Sequence, residues 1–187
     1  MRVLVIDAYD EADPDSHVVR AAIDSLQRRG HDVEHLSLAT DELAGFMTPA
    51  EHRAYESETP LIAAETKASA FSVQAADALL FCYPTTLFGV PPRLKSWLER
   101  VMVMGVAFVF DDKKRVRPGL KNVRHLGVIT TSPHSVRATM RARDLGRRTL
   151  MRTLRLNCHP LCMRTFVRLR AGGAHHAAID RRLVRWR

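Results

Sequence analysis

The chain has 187 residues, 46% of them apolar and 26% charged, with a net charge of +9. That length suits one domain with a substantial core, spanning residues 1–187, and the ordinary composition makes a folded rather than a disordered chain the expectation. The charge is polarised: residues 1–80 carry six Lys/Arg against fifteen Asp/Glu (net −9), 81–133 nine against three (+6), and 134–187 fourteen against two (+12).

VLVIDA (3–8) is a continuous apolar run rich in β-branched residues and reads as a strand buried on both faces. The apolar part of this N-terminus is too short for a signal peptide, and Asp7 interrupts it. Beyond the acidic loop YDEADPD, Ser16 is placed to cap a helix over 17–29, with Val18, Val19, Ala22, Ile23 and Leu26 on one face and Gly30 ending it. DVEHLSL (32–38) alternates like an edge strand. Residues 39–75 hold turn signals at Gly45, Pro49 and Pro60 and an amphipathic stretch near 61–76. The segment is long for a plain loop and suits a cover over one edge of a site.

ALLFCY (78–83) is the second strongly buried strand, and Pro91 and Pro92 open a helix over 91–103. Between them, PTTLFGV carries Leu87 and Phe88 outward, where a loop ordinarily shows water its polar residues. Such a loop suits something flat and apolar. VMVMGVAFVF (101–110) reads as core or as a dimer surface. At ten residues it is too short to span a bilayer. A cytoplasmic protein is expected, not embedded in a membrane.

After the polar turn DDKKRVRPG, HLGVIT (125–130) is the third buried strand. A helix over 138–156, a weaker strand near 161–169 and a final helix in AHHAAIDRRLVRW follow. RATMRARDLGRRTLMRTLRL spaces its arginines as on a helix and interleaves no aromatics for base stacking, so no nucleic-acid partner is expected. A solvated face, or a field attracting a phosphate-bearing ligand, accounts for the charge equally well. Cys82 sits in a strand. Cys158, His159 and Cys162 would need further ligands such as His175 and His176, and no metal site is expected.

Strands alternating with helices give an α/β fold: a five-stranded parallel sheet in the order 2-1-3-4-5 with helices on both faces, a flavodoxin-like three-layer sandwich. In such sheets ligands bind beyond the carboxyl ends of the strands at the switch point, so loops 9–17, 84–91 and 130–138 should converge. In the first loop, Ser16 and His17 open a helix whose free amides favour an anion; a simple cap followed by a surface histidine fits equally. In the second, backbone amides between Thr85 and Gly89 suit the polar edge of a ring, with Leu87 and Phe88 against its face or border. In the third, Thr130, Thr131 and Ser132 offer hydroxyls and His134 a proton donor. Neither G-x-G-x-x-G nor a P-loop motif occurs. A flat heterocycle with a phosphate tail would use all three loops, and FMN matches.

ADALLFCYPTTLFGVPPRLKSWLERVMVMGVAF, together with DELAGFMTPAEHRAYE, RPGLKNVRHLGVITT and DLGRRTLMRTL, resembles the flavodoxin-like NAD(P)H:quinone oxidoreductase family. That family includes bacterial flavoproteins ancillary to potassium efflux systems. The resemblance implies a flavin ring on Pro84, Thr85, Thr86, Leu87, Phe88 and Gly89, with Thr130, Thr131, Ser132 and Pro133 near its other side and the phosphate on Ser16, His17 and Val18. It implies FMN, with FAD as the alternative, and NAD(P)H as hydride donor. A quinone-like acceptor served by a ping-pong reaction, and a homodimer, are implied too. The alternative is a regulatory flavoprotein subunit bound peripherally to a membrane transporter. The chain departs from the family at Thr130-Thr131-Ser132-Pro133, where a glycine is usual, and at Thr86 or Leu87, where many relatives carry tryptophan.

Overall fold

The structure, a computed structural model, describes residues 1–39, 43, 45–55, 57 and 59–186. Five strands form one parallel sheet in the spatial order β2 (Asp32–Ser37), β1 (Arg2–Asp7), β3 (Ala78–Pro84), β6 (His125–Ser132), β7 (Met163–Arg170). Counting sheet strands alone, this is the expected 2-1-3-4-5. The helices include α1 (His17–Gln27), α2 (Pro49–Ala54), α3 (Ala64–Ala75), α4 (Pro92–Val101), α5 (Val136–Arg141), α6 (Leu145–Arg148) and α7 (His176–Leu183). Among the described residues, no helix is long and apolar enough to cross a membrane.

The central strands are apolar throughout because the period of two sends alternate side chains into two cores. On one face Leu4, Ile6, Leu79 and Phe81 meet Leu94, Trp97 and Val101 of α4, with Leu150 and Leu154. On the other, Val3, Val5, Leu80 and Ile129 meet Val18, Val19, Ala22 and Leu26 of α1 and Ile179, Leu183 and Trp186 at the C-terminus. The indole of Trp186 lies over Gly127 of β6, where a Cβ would come within 2.5 Å of it, and donates to Thr165 Oγ1 at 2.9 Å.

Four features differ from the sequence reading. The 39–75 segment holds α2 and α3, and α2 opens with a capping box in which Thr48 and Glu51 satisfy each other's amides. Within 101–110, Val101–Val103, Val106 and Ala107 turn inward, in line with the core reading, and the difference is that Phe108–Phe110 (β4) and Val116–Pro118 (β5) pair as an antiparallel hairpin tipped by the polar turn. Instead of one helix over 138–156 there are two helical pieces. The break falls at Arg143 and Asp144 (φ +59° and +41°), where the Asp144 carboxylate caps α6 through the Arg147 amide. After α6 the chain passes through a π-helical turn (Thr149–Thr153) and a 3-10 turn (Leu154–Asn157).

The fourth concerns Ser16. Its backbone is already helical (φ −57°, ψ −24°) and its hydroxyl makes no cap bond, because a side-chain cap needs extended backbone there. Turns from Asp13 and Asp15 start the helix instead.

Candidate functional site

β3 delivers the second loop. Thr86 and Gly89 exchange main-chain hydrogen bonds (3.2 and 2.8 Å) and close a two-residue turn of Leu87 and Phe88, at φ +45° and +60°. Two successive positive φ angles mark the type I′ turn that ordinarily selects Asn-Gly. Here two bulky L-residues occupy it, each at a cost of about 1–2 kcal/mol. The amides of Leu87 and Phe88 meet no acceptor among the described residues. Leu87 is 84% exposed, and the Phe88 ring stacks on His134 at 4.3 Å between centroids.

The turn is braced from behind. The Phe88 carbonyl accepts the amides of Leu145 (3.0 Å) and Gly146 (3.4 Å) at the start of α6. Gly146 is required there, since a Cβ would lie 2.6 Å from Tyr83 Oη and 3.3 Å from the Gly89 carbonyl carbon. Gly89 itself is less constrained: a Cβ would meet only ordinary contacts, the nearest at 3.6 Å, and its φ is not positive.

The third loop opens later than expected because β6 continues through Ser132, paired with Arg170 of β7. Thr130, Thr131 and Ser132 are buried and their hydroxyls are engaged inside the protein. Thr130 Oγ1 meets Thr85 Oγ1 at 2.8 Å, and Ser132 Oγ accepts the His134 amide at 3.2 Å. The Thr131 carbonyl accepts the Thr85 amide at 2.8 Å, which ties the second and third loops together. Pro133 and His134 face solvent.

Tyr9, which sequence reasoning passed over, explains what Thr131 does. Directly after β1, its buried phenol reaches across the end of β3, lies 3.1 Å from Thr131 Oγ1 and accepts the Thr131 amide at 3.3 Å. Burial pushes the phenol far above its ordinary range. Its only sequence signal was an aromatic at the carboxyl end of a buried strand.

At the first loop, the amides of Ser16 and Val18 are taken by the carbonyls of Asp13 and Asp15, and the Val18 side chain is buried. The His17 amide and the Ser16 hydroxyl have no such partner among the described residues. The His17 ring lies between the carbonyls of Pro14 (2.9 Å) and Gly173 (3.1 Å), alongside His175 and His176. Three of the surrounding acids are committed elsewhere. Asp13 accepts the Asp15 amide, Asp15 accepts the Gly172 amide, and Asp10 pairs with Arg93 at the start of α4.

Cys158 and Cys162 are buried against the α4 core, apart from His175 and His176 beside α1. No group of three or more His, Cys, Asp or Glu that could hold a metal occurs among the described residues.

The sheet order, with loops 9–16, 84–90 and 132–135 at one end of it, matches at the level of sequence as well. Residues 1–156 fit the pattern of a family described as having a flavodoxin-like fold. The chain belongs to that family.

Among curated flavodoxin-like proteins it is similar to the NAD(P)H dehydrogenase [quinone] 1 of Cavia porcellus, 30% identical over 125 residues, 58% of this chain and 46% of that one. The chain spans about half the length of the mammalian relatives it matches. Two solved structures share the fold. One is an NAD(P)H:quinone oxidoreductase from Methanothermobacter marburgensis (TM-score 0.77, 19% identity, 99% of this chain and 96% of that one). The other is an FMN-dependent NADH-azoreductase from Bacillus anthracis in complex with FMN (TM-score 0.72, 16% identity, 99% and 98%). In this flavodoxin-like chain the sheet end thus presents an exposed apolar turn, an aromatic pair and a helix start, with the Leu87, Phe88 and His17 amides and the Ser16 hydroxyl unpartnered among the described residues.

Proposed function

We propose that this protein is a flavin-dependent oxidoreductase that passes hydride from NAD(P)H through FMN to a quinone or similar acceptor. The observation that carries the reading is the Leu87-Phe88 turn. A scaffold that holds two bulky residues at positive φ, with both amides unspent, keeps backbone strain where a ligand gains from it. The residues fit the group. The Leu87 and Phe88 amides suit the carbonyl-rich edge of an isoalloxazine, and the two side chains suit its apolar body. The Ser16 hydroxyl and His17 amide suit the phosphate, helped by the positive end of α1.

Bound flavin would supply two-electron hydride chemistry in two half-reactions at one place, which is why no dedicated nucleophile or carboxylate pair is required. The protein would orient the ring through the braced turn. His134, exposed and stacked on the Phe88 ring, would donate a proton to the reduced acceptor. The resemblance of sequence and fold to quinone oxidoreductases supports this assignment, and an FMN-bound relative favours FMN over FAD. A homodimer of one-domain subunits belongs to the same reading. Phe46 and Phe71, 84% and 61% exposed, support an apolar contact.

The test is an absorption spectrum after loading with FMN or FAD and removing the excess, followed by anaerobic NAD(P)H. Retention and bleaching are expected. Gly89→Ala adds a methyl that meets only ordinary contacts within the protein, so a lowered FMN affinity with unchanged thermal stability would locate the ring at the turn. No retention of either flavin by the unmodified chain would overturn the assignment.

A further inference from the structure

The arginines of the C-terminal third do not simply ring a solvated helix. Seven of the fourteen line a cleft of about 800 Å³ beside β7, the outer strand of the sheet. Arg164, Phe166 and Arg168 come from one face of β7, and the opposite wall is built by the segment from Thr139 to Arg152. Arg182 of α7 also lines it. One acid, Asp144, is among the lining residues, and it pairs with Arg168. The guanidiniums of Arg147 and Arg168 sit 5.3 and 5.5 Å from the Phe166 centroid, so that ring already serves cations. Arg143, Arg148, Arg152, Arg164 and Arg182 have no acidic partner among the described residues.

Five uncompensated guanidiniums around a half-enclosed volume concentrate anions there, since low-dielectric walls focus the field. Their planar forks match phosphate oxygens two at a time, and their number exceeds the charge of a single phosphate. The volume is that of a small-molecule site. The one aromatic in the lining is covered by guanidiniums, which disfavours a single-stranded nucleic acid held by stacking. The wall bearing Arg152 is also the π-helical turn, an irregularity that concentrates at functional sites. We propose that this cleft binds a small molecule carrying two or more phosphate groups, either a free polyphosphate or the phosphate chain of a nucleotide. The proposal does not rest on the flavin reading.

Titration calorimetry of the full chain with inorganic tripolyphosphate tests it. One site per chain is expected, weakening as salt rises. ATP binding tenfold tighter than tripolyphosphate would identify a nucleotide as the source, and equal affinities the phosphates alone. Arg148→Ser combined with Arg152→Ser should weaken binding about a hundredfold, roughly tenfold for each charged donor removed. Arg20→Ser on α1 should leave it unchanged. Circular dichroism verifies the fold, with Arg164→Ser as the replacement if the double variant unfolds. Absence of heat at low salt, or equal affinity in the cleft variants, would overturn the proposal. Duplex DNA binding more tightly than tripolyphosphate and lost in the same variants would overturn it in favour of nucleic acid.

Discussion

Replacing Leu87 by asparagine separates the backbone cost of the turn from its use. The side chain is 84% exposed, so little packing is lost on truncation, while φ of +45° is a conformation asparagine tolerates far better than leucine. The penalty for an L-residue there is about 1–2 kcal/mol. Recovering about half of it stabilises the flavin-free protein by roughly 0.5–1 kcal/mol, which for a chain of this size raises Tm by about 1–4 °C. The opposite sign is expected for FMN. If the leucine covers the ring edge, losing a partial burial worth about 1 kcal/mol weakens the cofactor roughly fivefold. Thermal denaturation of the flavin-free variant and fluorescence titration with FMN read the two terms independently. A fall in Tm would refute the strain argument, and unchanged FMN affinity would refute the placement of Leu87 against the ring.

Three further outcomes follow from the packing. Arg100, 2% exposed, pairs with Glu51 at 3.1 Å and also with Glu65, so Arg100→Ala leaves a buried carboxylate uncompensated and should cost about 3–5 kcal/mol in urea denaturation. Gly146→Ala forces a methyl against Tyr83 Oη and the Gly89 backbone. It should cost about 1–3 kcal/mol and weaken flavin retention, whereas full retention would show that the turn does not depend on its brace.

Acidification should lower stability in two steps. Burial, with nearby positive charge from His31 and the N-terminus, holds His125 below the ordinary imidazole range. The unfolded chain therefore takes up that proton first, and stability drops as pH falls from the ordinary imidazole range to the depressed folded value. Burial alone would raise the Glu51 carboxyl, but the Thr48 amide and hydroxyl and Arg100 outweigh it and hold it low. Its contribution is present above the ordinary carboxylate range and lost as pH falls through the folded value. Urea midpoints across pH should show both, with the upper step reduced in His125→Leu.

The turn shows how far the sequence alone carries a site. Leu87 and Phe88 stood out because two large apolar residues followed a buried strand, and that reading needed no coordinates. Their positive φ did not show, because the usual marker, Asn-Gly, is missing and the strain is held by the Leu145 and Gly146 amides, which donate to the Phe88 carbonyl from a distant segment. The hydroxyls of Thr130 to Ser132 were legible as residue types, but not as groups already spent. Thr85, Tyr9 and the His134 amide take them up in turn. The Arg100 pair and the docking of Trp186 on Gly127 were equally out of reach, since each joins residues tens of positions apart.

The sheet itself was determined by local pattern. Continuous apolar runs, helical periodicity and glycine or proline punctuation repeat often enough along this chain to specify strand, helix and crossover, and right-handed connections leave few orders for five strands. Tertiary structure alone decided which polar groups remain free at the strand ends and where the arginines gather. Those outcomes depend on contacts between segments far apart in the chain, and hydrogen bonds and charges are satisfied by whatever the fold brings near.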